Sequence, residues 1–327
     1  MLSRRKSLLS FTIVIFTFIV VIGIRSGLGT SMDKQHNISF DLHPTNNTMI
    51  FSADGKGGHP IYTMDLVSKK VTRITDRDEY EQEPTFSVDG TRIAFASGKT
   101  PLAASHIYTC ALDGAGIKQW TNDPLVYDRG PSFSPDGSKL LFCRAARNRE
   151  YSFGGRVWDQ WDLFVLDLKS GRVERITNEK YYSIYTPMFS HDSKSVLYAA
   201  DTSVAGPNIY SVNLSDKSPP HVVTSNADFP SLSADKKFVT FISDRADPFD
   251  FDVWVLRIAD GQTTRITSNK SYNTSPIFTK DGKSIVFLSD KGRKQRFELW
   301  QVNRADKKLE RLADDKLFDD PLHWHPR

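Results

Sequence analysis

The stretch PSFSPDGSKLLF, residues Pro131–Phe142, decides the fold because it recurs along the chain. It returns as PTFSVDGTRIAF from Pro84, PMFSHDSKSVLY from Pro187, PSLSADKKFVTF from Pro230 and PIFTKDGKSIVF from Pro276. A looser copy, LHPTNNTMIF, opens the series at Leu42. The strand-core residue of each copy falls at Leu42, Phe86, Phe133, Phe189, Leu232 and Phe278, and a terminal PLHWHP adds Trp324. The intervals are 44, 47, 56, 43, 46 and 46 residues. A period of about 40–50 residues is that of a four-stranded propeller blade.

Each copy carries the same short apolar elements. A strand ends in an aromatic at Phe51, Phe95, Phe142, Tyr198, Phe241 or Phe287. A third strand follows as IYTMDL, IYTCAL, LFVLDL, IYSVNL, VWVLRI or LWQVNR, and a short RIT-type strand closes the unit. Alternation with β-branched enrichment marks strands, and Asp-Gly or Asp-Lys turns suit positive φ. No stretch after residue 30 sustains a 3.6-residue period. The expected fold is therefore an all-β, six-bladed propeller over residues 31–327. The terminal PLHWHP is expected to join the first blade and fasten the ring.

These motifs, PxFSPDGxxIxF followed by IYxxDL and RIT, resemble the WD40-like repeats of the TolB-type β-propeller. Related repeats occur in the propeller domain of prolyl-oligopeptidase-type peptidases. The resemblance covers about residues 38–327 and implies the architecture only. TolB-type proteins carry an α/β domain ahead of the propeller, for which the chain between Ile24 and residue 38 has no room. The peptidases carry a hydrolase domain with a Gly-x-Ser-x-Gly elbow, a motif this sequence lacks.

Charge narrows the partners. Lys and Arg total 43 against 39 Asp and Glu, a net charge of +4. The surplus lies at Arg4, Arg5, Lys6 and Arg25, so the body is neutral and has no electrostatic footprint for nucleic acid. Two cysteines, Cys110 and Cys143, make no disulfide framework, and burial as small hydrophobes is expected. From Ser7 to Ile24 run 18 uncharged residues behind the basic cluster. A signal-peptide core spans about 7–15 residues and a membrane helix roughly 17–25. Residues 1–30 are thus expected to be a single-pass signal-anchor with the propeller outside the cytoplasm. Cleavage, giving a secreted or periplasmic protein, is the alternative.

Binding residues are sought on the rim loops of the rigid ring. An aromatic sits six residues before the strand core at Tyr80, Tyr127, Tyr272 and Phe318. Such rings either cap blade junctions or stack on a ligand. The third repeat has an insertion: Phe142 to Phe164 spans 22 residues where the others use 11 to 13. It holds Arg147, Arg149, Tyr151, Phe153, Arg156, Trp158 and Trp161. Arg, Trp and Tyr are the residue types of interface hot spots.

Other features carry less. Asp244, Asp247, Asp250 and Asp252 lack the spacing of a Ca²⁺ loop, so solvation or pairing with the basic SDKGRKQRF loop is expected. His59 and His106 precede the third strand in neighbouring repeats and seed an alternative, a metal-dependent polysaccharide lyase or hydrolase. The sequence assigns no catalytic residue, metal ligand or cofactor. The expected function is a membrane-tethered scaffold binding an envelope or membrane-associated protein, or a glycan.

Overall fold

The Ser-x-Asp-Gly phrase and its variants close a tight turn between the first two strands of a repeat. Ser87 Oγ donates to Asp89 at 2.5 Å, the Thr91 amide donates to the same carboxylate at 3.0 Å, and Gly90 takes φ 71°. Ser134, Asp136 and Gly137 repeat the arrangement. Hydrogen bonds from the serine hydroxyl, then from the following amide, hold the Asp89 and Asp136 carboxyls down to about 2. Where glycine is missing, Ser193 and Lys236 adopt the left-handed conformation at φ 57° and 59°.

A computed structural model describes residues 38–54, 58–150, 156–202, 206–216, 218–293 and 296–319. The first sheet contains β1 (Phe40–Leu42), β2 (Thr48–Ser52), β3 (Ile61–Asp65) and β4 (Val71–Arg73). Next come β5 (Tyr80–Phe86), β6 (Arg92–Gly98), β7 (Ser105–Ala111) and β8 (Lys118–Gln119). They are followed by β9 (Tyr127–Phe133), β10 (Lys139–Glu150), β11 (Arg156–Asp167) and β12 (Val173–Arg175). These eight strands form one sheet because a single parallel pair, Ser105 and Tyr127, bridges its two halves.

Three further four-stranded sheets complete the body. One contains β13 (Ser183–Phe189), β14 (Ser195–Asp201), β15 (Pro207–Asn213) and β16 (His221–Thr224). The next contains β17 (Asp228–Leu232), β18 (Phe238–Ser243), β19 (Asp252–Arg257) and β20 (Thr263–Arg265). The last contains β21 (Asn273–Phe278), β22 (Ser284–Arg293), β23 (Arg296–Asn303) and β24 (Leu309–Ala313), followed by a short helix, α1 (Lys316–Asp319). The architecture is an all-β propeller. Within each four-strand unit the strands follow one another antiparallel.

Register repeats with the sequence. Leu42, Phe86, Phe133, Phe189, Leu232 and Phe278 each pair with the residue seven positions on: Met49, Ile93, Leu140, Val196, Val239 and Ile285. The strand-ending aromatics each face a ring on the third strand. Phe51–Tyr62, Phe95–Tyr108, Phe142–Phe164 and Tyr198–Tyr210 stack with centroids 5.6–5.8 Å apart. Such pairs contribute about 0.5–1.5 kcal/mol each beyond their buried area. The threonine of the RIT phrase has a hidden role. Thr75, Thr121, Thr177 and Thr267 Oγ1 accept third-strand amides, those of Ile61, Ile107, Leu163 and Val253, each at 2.9 Å.

The innermost strands carry a second regularity. Glu83, Thr186, Phe229 and Ser275 take φ between 42° and 52°, and Gly130 takes 60°. Each immediately precedes a buried proline, and each strand pairing shifts register there. Proline lacks the N–H a central strand needs, so it is confined to edges and bulges. An inner strand has its free edge on the channel, where both conditions hold.

One core cluster joins the first and last sheets, with Met49, Phe51 and Tyr62 packed against Val286, Leu288 and Leu299. Leu317 and Phe318 of α1 fill this seam. Phe318 is thus a core residue and not a rim aromatic. The expected closure by Trp324 lies outside the described residues, as does the expected anchor at residues 7–24. Among the described residues no helix is long and apolar enough to cross a membrane. Cys110 and Cys143 are free and buried, and burial pushes both thiols up.

Candidate functional site at the channel mouth

The inner strands β1, β5, β9, β13, β17 and β21 line a cavity of about 1000 Å³ along the propeller axis. Tyr80, Tyr127, Trp158, Trp161, Tyr182 and Tyr185 are among the residues that border it.

The third-repeat insertion is not an irregular loop. It lengthens β10 and β11 to 12 residues each, and the two pair up to Glu150 and Arg156. Arg147 and Arg149 stand opposite Asp159 and Val157 in this hairpin, while Tyr151 and Phe153 lie outside the described residues. A second hairpin, β22–β23, is also lengthened, with strands of 10 and 8 residues.

The hairpin brings Trp158 and Trp161 to Tyr127, with centroids 5.7 and 5.9 Å from its ring. Trp158 Nε1 donates to the Leu102 carbonyl at 3.2 Å, and Trp161 Nε1 donates to the Trp158 carbonyl at 3.0 Å. The backbone of Trp161 exchanges two 2.9 Å hydrogen bonds with Tyr181, fixing the hairpin base to the next sheet. Tyr127 is buried, and its hydroxyl donates to Pro101 O at 3.2 Å and accepts from Gln82 Nε2. Burial pushes its phenol up to about 12. Tyr127 therefore supports the mouth through its ring. Tyr80 is half-buried and stacks on His59 at 4.5 Å. Tyr272 is elsewhere, packed between Phe251 and Phe297 and against the core of the first and last sheets.

Sequence reasoning missed Arg129. It lies on β9 beside Tyr127, and nothing in the repeat phrase singles it out. Its Nη2 donates to Ile184 O at 2.7 Å and Ser183 Oγ at 3.1 Å. Its guanidinium lies 4.1 Å from the Trp161 ring centre and 4.9 Å from that of Tyr185. Nearby carboxylates are engaged. Glu83 accepts the Gly130 amide at 2.6 Å, and Asp128 holds Arg144 through bonds of 2.6 and 2.8 Å. Asp41 accepts from Thr85 Oγ1 at 2.8 Å and the Phe86 amide at 3.0 Å, and burial pushes its carboxyl up.

His59 and the acidic loop have structural partners, while His106 Nδ1 is buried without a hydrogen bond among the described residues. His59 Nδ1 meets Glu81 O at 2.8 Å, and burial pushes both His59 and His106 down. Among the described residues no group of three or more His, Cys, Asp or Glu is placed to hold a metal. Asp247 and Asp252 pair with Arg265 of their own sheet, and Asp247 stays 59% exposed, the solvated alternative expected for this loop.

Glu81 is buried, accepts from the Thr75 hydroxyl and lies 3.3 Å from Arg77. Desolvation outweighs both and raises its carboxyl to about 7 from an ordinary 4.5. Between those values the folded state holds a proton that the unfolded state has lost, so this group's contribution to stability falls as pH rises through the window. Glu81→Gln should match wild type near pH 4.5. By pH 8 it should be the more stable, by up to about 3 kcal/mol. Paired denaturation curves across that range test this, and parallel curves would refute it.

A family model for the TolB beta propeller domain matches residues 17–157. The repeats are of the TolB propeller type. The Tol-Pal system protein TolB of Francisella tularensis subsp. mediasiatica is 26% identical over 198 residues, 60% of this chain and 42% of that protein. The chain thus matches less than half the length of this curated relative. TolB from Acinetobacter baumannii superposes with a TM-score of 0.65 at 20% identity, covering 85% of this chain and 63% of that one. The oligogalacturonate lyase of Vibrio parahaemolyticus gives 0.60 at 14% identity, covering 87% and 80%. At these identities the solved structures establish the fold of the TolB-type propeller and nothing more.

Proposed function

We propose that the chain is a six-bladed propeller acting as a protein-binding scaffold, with its contact surface at the channel mouth. The count of six is supported by the identical seven-residue register in six places. The observation that carries the function is the β10–β11 hairpin, which gathers Trp158, Trp161 and Tyr127 beside Arg129 on a rigid wall. Preorganised Trp, Tyr and Arg side chains bind with little ordering cost. A relative named for the Tol-Pal system agrees with a protein partner in the cell envelope. A tether through residues 7–24, with the propeller outside the cytoplasm, belongs to this reading and rests on their uncharged sequence.

A photo-crosslinking residue tests the surface in the full-length chain. At position 102, where Leu102 is 42% exposed beside Trp158, it should give a discrete protein adduct. At position 67, where Val67 is 73% exposed in the β3–β4 turn, it should give none. Trp158→Ala should abolish the adduct while melting stays cooperative. Equal adducts at both positions would refute the assignment.

A further inference from the structure

We propose that Arg129 recognises a carboxylate, taking an acidic side chain or the C-terminal carboxylate of an extended segment of the protein partner. This rests on the reading of the channel mouth as a protein-binding surface and gives it a chemical preference.

Three observations converge. First, Arg129 forms no ion pair with a carboxylate among the described residues, and Nη2 alone makes its two hydrogen bonds. The other guanidinium nitrogens keep their donors, and the half-buried side chain lines the 1000 Å³ cavity. Second, Asp128, next to Arg129 in β9, and Glu83 and Asp41, which line the cavity, are bonded to other donors. Glu83 offsets part of the charge but is anchored to the Gly130 amide. Third, the guanidinium carbon lies over the rings of Trp161 and Tyr185, 4.1 and 4.9 Å from their centres, which with its two hydrogen bonds holds it in place. A guanidinium already held in place gives charge-assisted hydrogen bonds to a carboxylate from its remaining Nε and Nη1 donors, and it loses little entropy on doing so.

The wall around Arg129 favours a polypeptide. It is built from inner-strand edges whose backbone groups match those of an extended chain, and Trp, Tyr and Arg together make protein hot spots.

Labelled Gly-Tyr-Glu-Tyr-Gly and Gly-Tyr-Gln-Tyr-Gly, both amidated, and the Gln peptide with a free C-terminus, are the probes for the full-length protein. Fluorescence anisotropy should show the Glu peptide, the free-carboxylate peptide, or both binding about tenfold more tightly than the amidated Gln peptide. Whichever binds identifies the source of the carboxylate. The gap should shrink as salt rises from roughly 50 to 500 mM. It should vanish in Arg129→Gln and persist in part in Arg129→Lys. Should Arg129→Gln fail to fold, the wild-type preference, its salt dependence and the Lys variant still decide. Equal binding of all three peptides, no binding of any, or a preference for trigalacturonate over the acidic peptides would overturn the proposal. Crosslinks at position 102 that survive in Arg129→Gln would overturn it too, while leaving the scaffold reading intact. Loss of those crosslinks in wild type would remove both.

Discussion

Phe318→Ala should destabilise the whole propeller by about 3–5 kcal/mol, the cost of emptying a buried phenylalanine site. The ring is 3% exposed and meets Phe51 edge-on, with centroids 5.7 Å apart. It fills the seam between the first and last sheets together with Leu317, which is fully buried. Side chains from both sheets line the resulting cavity, so neither can collapse into it without giving up its own strand register. The loss should appear as a lower denaturation midpoint and as faster amide exchange in β1–β4 and β21–β24. Phe249→Ala, at a ring 63% exposed, is the control and should change little. An unchanged midpoint for Phe318→Ala would mean that the seam holds by other contacts.

Asp162→Ala should cost about 2–4 kcal/mol and loosen the hairpin that carries Trp158 and Trp161. Its buried carboxylate gathers four donors: Arg175 Nη2 at 2.5 Å, Thr177 Oγ1 at 2.8 Å and the amides of Glu179 and Lys180 at 2.9 and 3.3 Å. Arg175 is 43% exposed and finds water when the carboxylate goes, which reduces its share. The Thr177 hydroxyl is buried and has no such recourse. Trp161 is one residue away, so its bonds to Tyr181 should weaken as well. Asp162→Asn keeps an acceptor for Thr177 and the amides and should lose roughly half as much. The check is a denaturation series with Trp fluorescence. Equal stability of all three proteins would show that the network adds nothing.

These two sites were legible to different degrees. The Asp162 network grows from the RIT phrase, and its partners fall within 18 residues of one another. The phrase itself was plain in the sequence, although the role of its threonine was not. A hydroxyl that accepts one amide while donating to a buried acid leaves no trace in a hydrophobic pattern. The pre-proline bulges did leave one, since a proline stands two residues before five of the six strand cores and is incompatible with a central strand. The third-repeat insertion was visible as a length. Its form as a hairpin depends on pairing, which length does not reveal.

The sequence by itself determined the repeat, the strand order within each unit and the facing aromatic pairs. Those are set by hairpins, whose partners are close in the chain and whose turns fix the register locally. Only the tertiary structure decided what stands on the channel wall. Tyr127 meets Gln82 across 45 residues, Gly130 meets Glu83 across 47 and Arg129 meets Ile184 across 55. Each contact joins one unit to the next, so it follows from how the sheets pack side by side. The same holds for Phe318, which looked like another rim aromatic until the last sheet met the first. Repetition fixes each sheet from within; the seams between sheets make the site.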